Sequence, residues 1–234
     1  MRTGYYGGGG GAGGTLPLPG PAGNLLTSNG SAWVSETPGG FVITSFAPVT
    51  AALEIGLTAT SPAFTAAESD TPTSLVLTNN DNSESKSVVG TPTSFTSSQN
   101  YTKTANNASV LFTLTGSDGV NGNARTTSIF WRPRVYHGVG VNGLSTEADI
   151  KALASSALQA SRATSYTDNA GASQYLYWAA PTSYGTPTFT VGGFSGGFSL
   201  VSNTIALTLN GVTQNYQLWQ SDTANLGSTA VVVS

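Results

Sequence analysis

Charge is what this chain most lacks, and the shortage limits what it can fold into. Only 8 Lys+Arg and 11 Asp+Glu stand among 234 residues, where about a quarter would be usual. Their place is taken by 33 Thr, 29 Ser, 29 Gly and 16 Asn. Thr is β-branched and suits the pleated surface of a strand, while Gly and Asn suit tight turns. Charged helix formers are scarce. The composition therefore predicts an all-β chain. A net charge of −3 supplies no basic footprint for phosphates, so no nucleic-acid partner is expected. With 38% hydrophobic residues the chain can bury a core, which argues against disorder.

There is no cysteine, hence no disulfide framework and no thiolate metal site. No run of about 18 apolar residues offers a helical membrane span, so no membrane insertion is expected. Met1-Arg2-Thr3-Gly4-Tyr5-Tyr6 runs straight into glycines. Without an apolar stretch there, no secretory leader is expected.

Residues 1–40 read as a flexible Gly/Pro-rich arm. Gly7 to Gly11 is unbroken glycine, and Leu16-Pro17-Leu18-Pro19-Gly20-Pro21 favours extended polyproline. A short hairpin follows, with Leu25–Ser28 and Ser31–Val34 flanking Asn29-Gly30, a pair suited to a type I′ turn. Tyr5, Tyr6, Leu16, Leu18 and Trp33 are the candidate docking residues of this arm, which would order on assembly.

Residues 41–138 predict an immunoglobulin-like β-sandwich. The strand candidates are Phe41–Phe46, Leu53–Thr60, Ser74–Thr78, Lys86–Val89, Ser94–Thr96, Val110–Thr115 and Thr126–Trp131. Val110, Phe112 and Leu114 alternate with Leu111, Thr113 and Thr115 and so form one apolar face. Residues 139–234 predict a second β-sandwich-like domain carrying one helix over about 147–161. There Thr146 with Asp149 makes a capping box. Ile150, Leu153, Ala154, Ala157 and Leu158 then repeat with helical spacing. Gln174–Ala180, Thr186–Val191 and Thr229–Val233 are its strand candidates. The clearest hairpin joins Ile205–Leu209 to Val212–Trp219 through Asn210-Gly211, pairing Leu209 with Val212 and Ile205 with Tyr216.

Little here promises chemistry. Gly193-Phe194-Ser195-Gly196-Gly197 fits G-x-S-x-G, yet a nucleophile elbow needs a strand–turn–helix setting and a later histidine. The sole histidine, His137, precedes the serine. Two Gly-Gly turns around a buried Phe194 are expected instead. His137 alone makes no zinc site. Asp81/Glu84 and Glu68/Asp70 are acidic pairs of the kind a glycosidase uses, but they lie in turns where Asp is common. Glu147 and Asp149 suit a helix N-terminus. No catalytic residue, metal or cofactor is expected. Trp131, Tyr136, Tyr175, Tyr177, Trp178, Tyr184 and Trp219 are the prominent aromatics. Alternation puts Tyr175 and Tyr177 on one face and Trp178 on the other. Tyr177, Trp178, Tyr184 and Trp219 are the candidate surface-recognition residues.

Three stretches carry a resemblance. Gly23-Asn24-Leu25-Leu26-Thr27-Ser28-Asn29-Gly30-Ser31-Ala32-Trp33 resembles a segment common in bacteriophage tail-fibre and related virion proteins. The block from Glu54-Ile55-Gly56 through Pro62-Ala63-Phe64-Thr65 to Ser128-Ile129-Phe130-Trp131-Arg132-Pro133-Arg134-Val135-Tyr136 resembles an immunoglobulin-like module of phage structural proteins. Tyr175-Leu176-Tyr177-Trp178-Ala179-Ala180-Pro181, Ser183-Tyr184-Gly185-Thr186-Pro187-Thr188-Phe189-Thr190-Val191-Gly192-Gly193-Phe194 and Ser221-Asp222-Thr223-Ala224-Asn225-Leu226-Gly227 are similar to the domain that follows that module.

The resemblance implies a virion structural protein, a short tail-fibre, tail-tip or baseplate component. It would be a homotrimer assembled in the host cytoplasm among other virion proteins, and would touch a host surface glycan or protein. A head or tail decoration protein without a receptor role is the alternative, and a glycan-degrading tail enzyme a remote one. The family defines no catalytic residues, so the expectation is a non-enzyme.

Overall fold

The structure is a computed structural model. It describes the backbone of residues 25–28 and 33–36, and residues 41–88, 90, 93–119 and 121–234 in full. Tyr5, Tyr6, Leu16 and Leu18 lie outside the described residues, as does the side chain of Trp33. Strands β1 (Leu25–Ser28) and β2 (Trp33–Glu36) pair antiparallel, with Leu25 opposite Glu36 and Ser28 opposite Trp33. The expected Asn29-Gly30 turn lies outside the described residues.

Ten strands follow: β3 (Ile43–Pro48), β4 (Ala52–Glu54), β5 (Thr58–Thr60), β6 (Ala63–Glu68), β7 (Ser74–Asn79), β8 (Ser85–Ser87), β9 (Ser94–Thr96), β10 (Asn100–Thr102), β11 (Ala108–Ser117) and β12 (Gly122–Arg132). A five-stranded sheet, β4-β12-β11-β7-β8, packs with the three-stranded β3-β6-β9 and the small pair β10-β5. The alternation expected in β11 is present, with Val110, Phe112 and Leu114 fully buried and Leu111 exposed. Phe112 lies 4.7 Å from Phe64 and edge-on to Tyr101 at 5.2 Å, centroid to centroid. Trp131 Nε1 donates to the Leu57 carbonyl at 2.7 Å, so its polar end is satisfied at full burial. The single strand expected over Leu53–Thr60 is two, because the chain turns at Ile55-Gly56 with Gly56 at φ +79°.

Pro133 alone separates β12 from β13 (Arg134–Val141). With no N–H, proline ends one ladder, and the chain enters the next sheet without a linker. The change of sheet thus falls at Pro133, ahead of the boundary expected after residue 138. Then come α1 (Glu147–Ala152), β14 (Ser155–Leu158), β15 (Thr164–Ala170), β16 (Gln174–Pro181), a 3₁₀ turn (Thr182–Tyr184), β17 (Phe189–Val191), β18 (Phe194–Ser195), β19 (Phe198–Leu209), β20 (Val212–Ser221) and β21 (Gly227–Val233). They form two sheets, β14-β13-β16-β20-β19 and β15-β21-β17-β18. The β19–β20 hairpin has the predicted register, Leu209 opposite Val212 and Ile205 opposite Tyr216.

The helix is far shorter than 147–161. Its capping box forms as predicted between Thr146 and Asp149, and Ile150 is buried. Leu153, however, takes φ −58° and ψ 136°, and Ser155–Leu158 becomes an edge strand on β13. Ladder bonds to β13 outweigh the helical pattern of small residues, a tertiary override of propensity. Gly138 on β13 admits the passing chain, since a Cβ there would lie 2.8 Å from the Ala154 nitrogen.

Strand β16 is covered on both faces. Tyr177 and Ala179, with Tyr216 and Leu218 of β20, belong to a core that also contains Phe64, Phe112 and Trp131 of the first unit. Leu176, Trp178 and Ala180 belong to a second core with Phe189, Phe198 and Val231 of the outer sheet. The two β units therefore share one continuous apolar interior. Polar contacts lock the same junction. Arg134 Nε donates to Glu54 Oε1 at 2.6 Å, and Asn210 Nδ2 to Glu54 Oε2 at 2.8 Å and to the Ile55 carbonyl at 3.1 Å. The tip of the β19–β20 hairpin sits against Gly56, where a Cβ would come 2.6 Å from the Asn210 carbonyl oxygen. Gly56→Ala thus adds both a positive-φ strain and a backbone clash. The variant is expected to lose about 2–4 kcal/mol in urea unfolding, while the parent unfolds in one cooperative transition because its core is shared.

Candidate functional site

The acidic pairs resolve into structural roles. Glu84 is 7% exposed, and every direction around its carboxylate is occupied. Oε1 accepts from the Ser98 backbone N–H at 2.6 Å and the Ser98 hydroxyl at 2.7 Å. Oε2 accepts from Ser97 Oγ at 2.7 Å, Tyr101 OH at 2.6 Å and Asn79 Nδ2 at 3.1 Å. Burial disfavours the charged form, but these donors prevail and hold the carboxyl down at about 2. Burial and the adjoining Glu84 push the Tyr101 phenol up to about 12. Asp81 turns away to pair with Lys103 at the surface. Asp81 and Glu84 are thus no acid–base couple over a cleft. Burial raises Glu68, and among the described residues no three His, Cys, Asp or Glu side chains group to hold a metal ion. Glu147 pairs with Lys151 at 2.6 Å and accepts from the Thr208 N–H at 2.9 Å, tying α1 to β19.

His137 has a partner the sequence did not suggest. Its Nδ1 lies 2.8 Å from Asp168 Oδ2, and its ring stacks on Tyr166 with centroids 4.1 Å apart. Strands β13 and β15 bring these groups together from 31 residues apart. No serine hydroxyl is hydrogen-bonded to the imidazole among the described residues, so the dyad lacks a nucleophile.

The G-x-S-x-G segment is a hairpin, not an elbow. Val191 pairs with Phe194, leaving Gly192-Gly193 as a two-residue loop with φ of +55° and +90°, the geometry of a type I′ turn. Gly196 and Gly197 also have positive φ, +99° and +84°. Phe194, expected to be buried, is 81% exposed. The tight loop and the two-residue strand β18 carry it past the sheet edge, where no layer covers it.

The four candidate recognition aromatics divide differently. Tyr177 and Trp178 are both fully buried, on opposite faces of β16, and cannot contact a partner. Alternation separated them as expected, but both faces of this strand are interior. Tyr184 and Trp219 are half-buried. Tyr184 OH donates to the Gln159 carbonyl at 2.6 Å, and Trp219 Nε1 to Gln217 Oε1 at 3.0 Å.

What remains is a surface. Residues 169–221 contain no Asp, Glu, Lys or Arg. Within this stretch Phe194, Leu200 at 45% and Val201 at 38% are exposed, with Val232 of the adjoining β21 also exposed. The β16–β20–β19 ladder places Trp178, Trp219 and Leu200 in one cross-strand row, so Leu200 ends a row that begins in the core. The signal in the sequence is the double Gly-Gly around a lone Phe, with the aromatic turned outward and not in. No protein-family model matches this chain, and no curated protein matches it.

Because the Glu84 carboxyl is depressed from 4.5 to about 2, its contribution is complete above pH 4.5 and drains away as pH falls toward 2. Glu84→Gln is expected to cost about 2–4 kcal/mol at neutral pH and to flatten that acid limb. Denaturant titrations at pH 7, 4 and 2.5 check both.

Proposed function

We propose that this chain is a structural component of a bacteriophage virion, seated at the tail tip or baseplate, and that its C-terminal unit contacts the host surface. The observation that carries this reading is the Phe194 finger. A phenylalanine held in water forgoes about 2 kcal/mol of burial. Here it is held out by a tight turn on a sheet backed by a full core. A rigid apolar tip in a charge-poor field, with Asp222, whose N–H donates to the Gly197 carbonyl, as a flanking carboxylate, suits contact with a surface that offers few ions. The resemblance of the chain to tail-fibre and baseplate proteins supports the same reading.

The shared core supports it further. A component that transmits load between a particle and a cell gains from two units that move as one body. The C-terminal sheet edges carry almost no Lys or Glu, the usual guards against edge pairing, and sister subunits of a homotrimer would cover them. The chain acts in this reading by binding, not by catalysis.

Phe194→Ser removes the finger without touching either core. The variant is expected to keep its melting temperature and its sedimentation as a trimer while adsorption to host cells falls by about tenfold or more. Equal adsorption of parent and variant would remove the finger from the reading. A parent that adsorbs to no cells, and that electron microscopy locates on the head lattice, would point to decoration instead.

A further inference from the structure

A second surface feature is the free edge of β19. This strand ends the sheet β14-β13-β16-β20-β19 and pairs with β20 alone. Two parts of its edge are guarded. Near the hairpin tip the Glu147–Lys151 pair of α1 takes both outward groups of Thr208, Glu147 accepting from its N–H at 2.9 Å and Lys151 donating to its carbonyl at 2.8 Å. In the middle, register breaks at Leu200/Ser202 and Ser202/Ile205 bend the edge, and Ser202 Oγ accepts from the Thr204 N–H. Residues 198–200 have neither guard. They run in regular register against residues 219–221 and contain no charge and no proline.

The direction of the backbone groups on this segment follows from the ladder. The Asp222 N–H donates to the Gly197 carbonyl at 3.0 Å, so Gly197 faces Asp222 in a hydrogen-bonded pair. Along an antiparallel ladder such pairs alternate with non-bonded ones. Phe198 and Leu200 therefore turn their N–H and C=O groups away from β20, to the open side. Among the described residues no side chain caps these groups as Glu147 and Lys151 cap Thr208. On one face of the same segment the exposed Leu200 ends the row that begins with Trp178 and Trp219.

From this we infer that the edge seats residues 15–21 of a neighbouring copy as one further antiparallel strand, with Leu16 opposite Leu200 and Leu18 opposite Phe198. The residue pattern of that segment selects it. Its leucines and prolines alternate, Leu16-Pro17-Leu18-Pro19-Gly20-Pro21, and alternate residues of a strand turn their backbone groups to opposite sides. Leu16 and Leu18 then offer N–H and C=O to the free groups of Leu200 and Phe198. Pro17, Pro19 and Pro21, which have no N–H, fall on the outer side, where none is needed and where proline stops further pairing. The same alternation lays both leucine side chains on the face of the apolar row, and the segment is as uncharged as the edge. Chain length selects the neighbour. With β1 and β2 paired, Leu18 and Ile43 of one chain stand at most about 50 Å apart. The Ile43 N–H donates to Asn123 Oδ1. From there to Phe198 the path runs along β12 to the junction and along β19 away from it, about 70 Å through two units. The inference rests on this edge and not on the virion reading.

The chain has no cysteine, so one introduced pair tests the seating. In this register Pro17 falls opposite Ser199 at a non-bonded position, where Cα atoms lie about 4.5 Å apart, within disulfide reach. Pro17→Cys with Ser199→Cys in the full chain is expected to form disulfides between copies under mild oxidation, read as multimers on a non-reducing gel. Pro17→Cys with Thr167→Cys, on β15 of the other sheet, should form about tenfold fewer. Amide hydrogen exchange at Leu200 decides the matter if the cysteine variants fail to fold. Leu16→Pro with Leu18→Pro removes the inward N–H groups and should speed that exchange about tenfold or more, while Pro17→Ala with Pro19→Ala should leave it unchanged. No disulfide from the Pro17–Ser199 pair overturns the proposal, as does a disulfide confined to single chains. So does unchanged exchange at Leu200 in the leucine variant, or an equal rise in both arm variants. Phe194→Ser should leave the cross-link intact, which separates this edge from the finger.

Discussion

Everything in this molecule hangs on one strand being buried on both faces. β16 sends Tyr177 and Ala179 toward the first unit and Leu176, Trp178 and Ala180 toward the outer sheet. Large aromatic side chains dominate the burial energy of any core, and two of the largest here leave the same strand in opposite directions. The outer sheet, the glycine-flanked finger on its edge and the docked hairpin at Gly56 all depend on that middle layer. A sheet with one wet face would have left two independent domains.

The scarcity of charge shifts the remaining work onto hydroxyls and amides. Where charges are used, they are spent at joints: Arg134 with Glu54 at the junction, Glu147 with Lys151 on the helix, and Glu84 inside a ring of Ser97, Ser98, Asn79 and Tyr101. A buried carboxylate is tolerable only when its oxygens are fully satisfied, and five donors meet that condition at Glu84. Asn210 does the comparable job for the hairpin tip by bridging Glu54 and the Ile55 carbonyl. Against that background a phenylalanine in open water, Phe194, is a group whose placement the fold itself does not explain.

Much of the strand content was readable from pattern. β9 and the β19–β20 register follow directly from alternation around turn residues, and the Thr146–Asp149 capping box from its spacing. β10 and β13 to β15 are not legible in the sequence because they lack a clean alternating apolar code, and β6 because only Phe64 and Ala66 mark its buried face. β14 is a run of Ser, Ala and Leu that equally fits a helix, and its partner across the sheet decided its form. Phe194 shows the same limit in the site. Four glycines announce two turns, but whether a turn lies over a core or beyond its edge depends on layers contributed from elsewhere in the chain.

By itself, then, the sequence determined the class: few charges, many β-branched and turn-forming residues, and hairpin registers set by local geometry. Those are short-range properties of neighbouring residues. Tertiary structure alone decided that Tyr177 and Trp178 are interior and Phe194 is not. It also placed His137 beside Asp168. Each of these turns on which sheet covers which face, a choice made by contacts between residues tens of positions apart that no local pattern encodes.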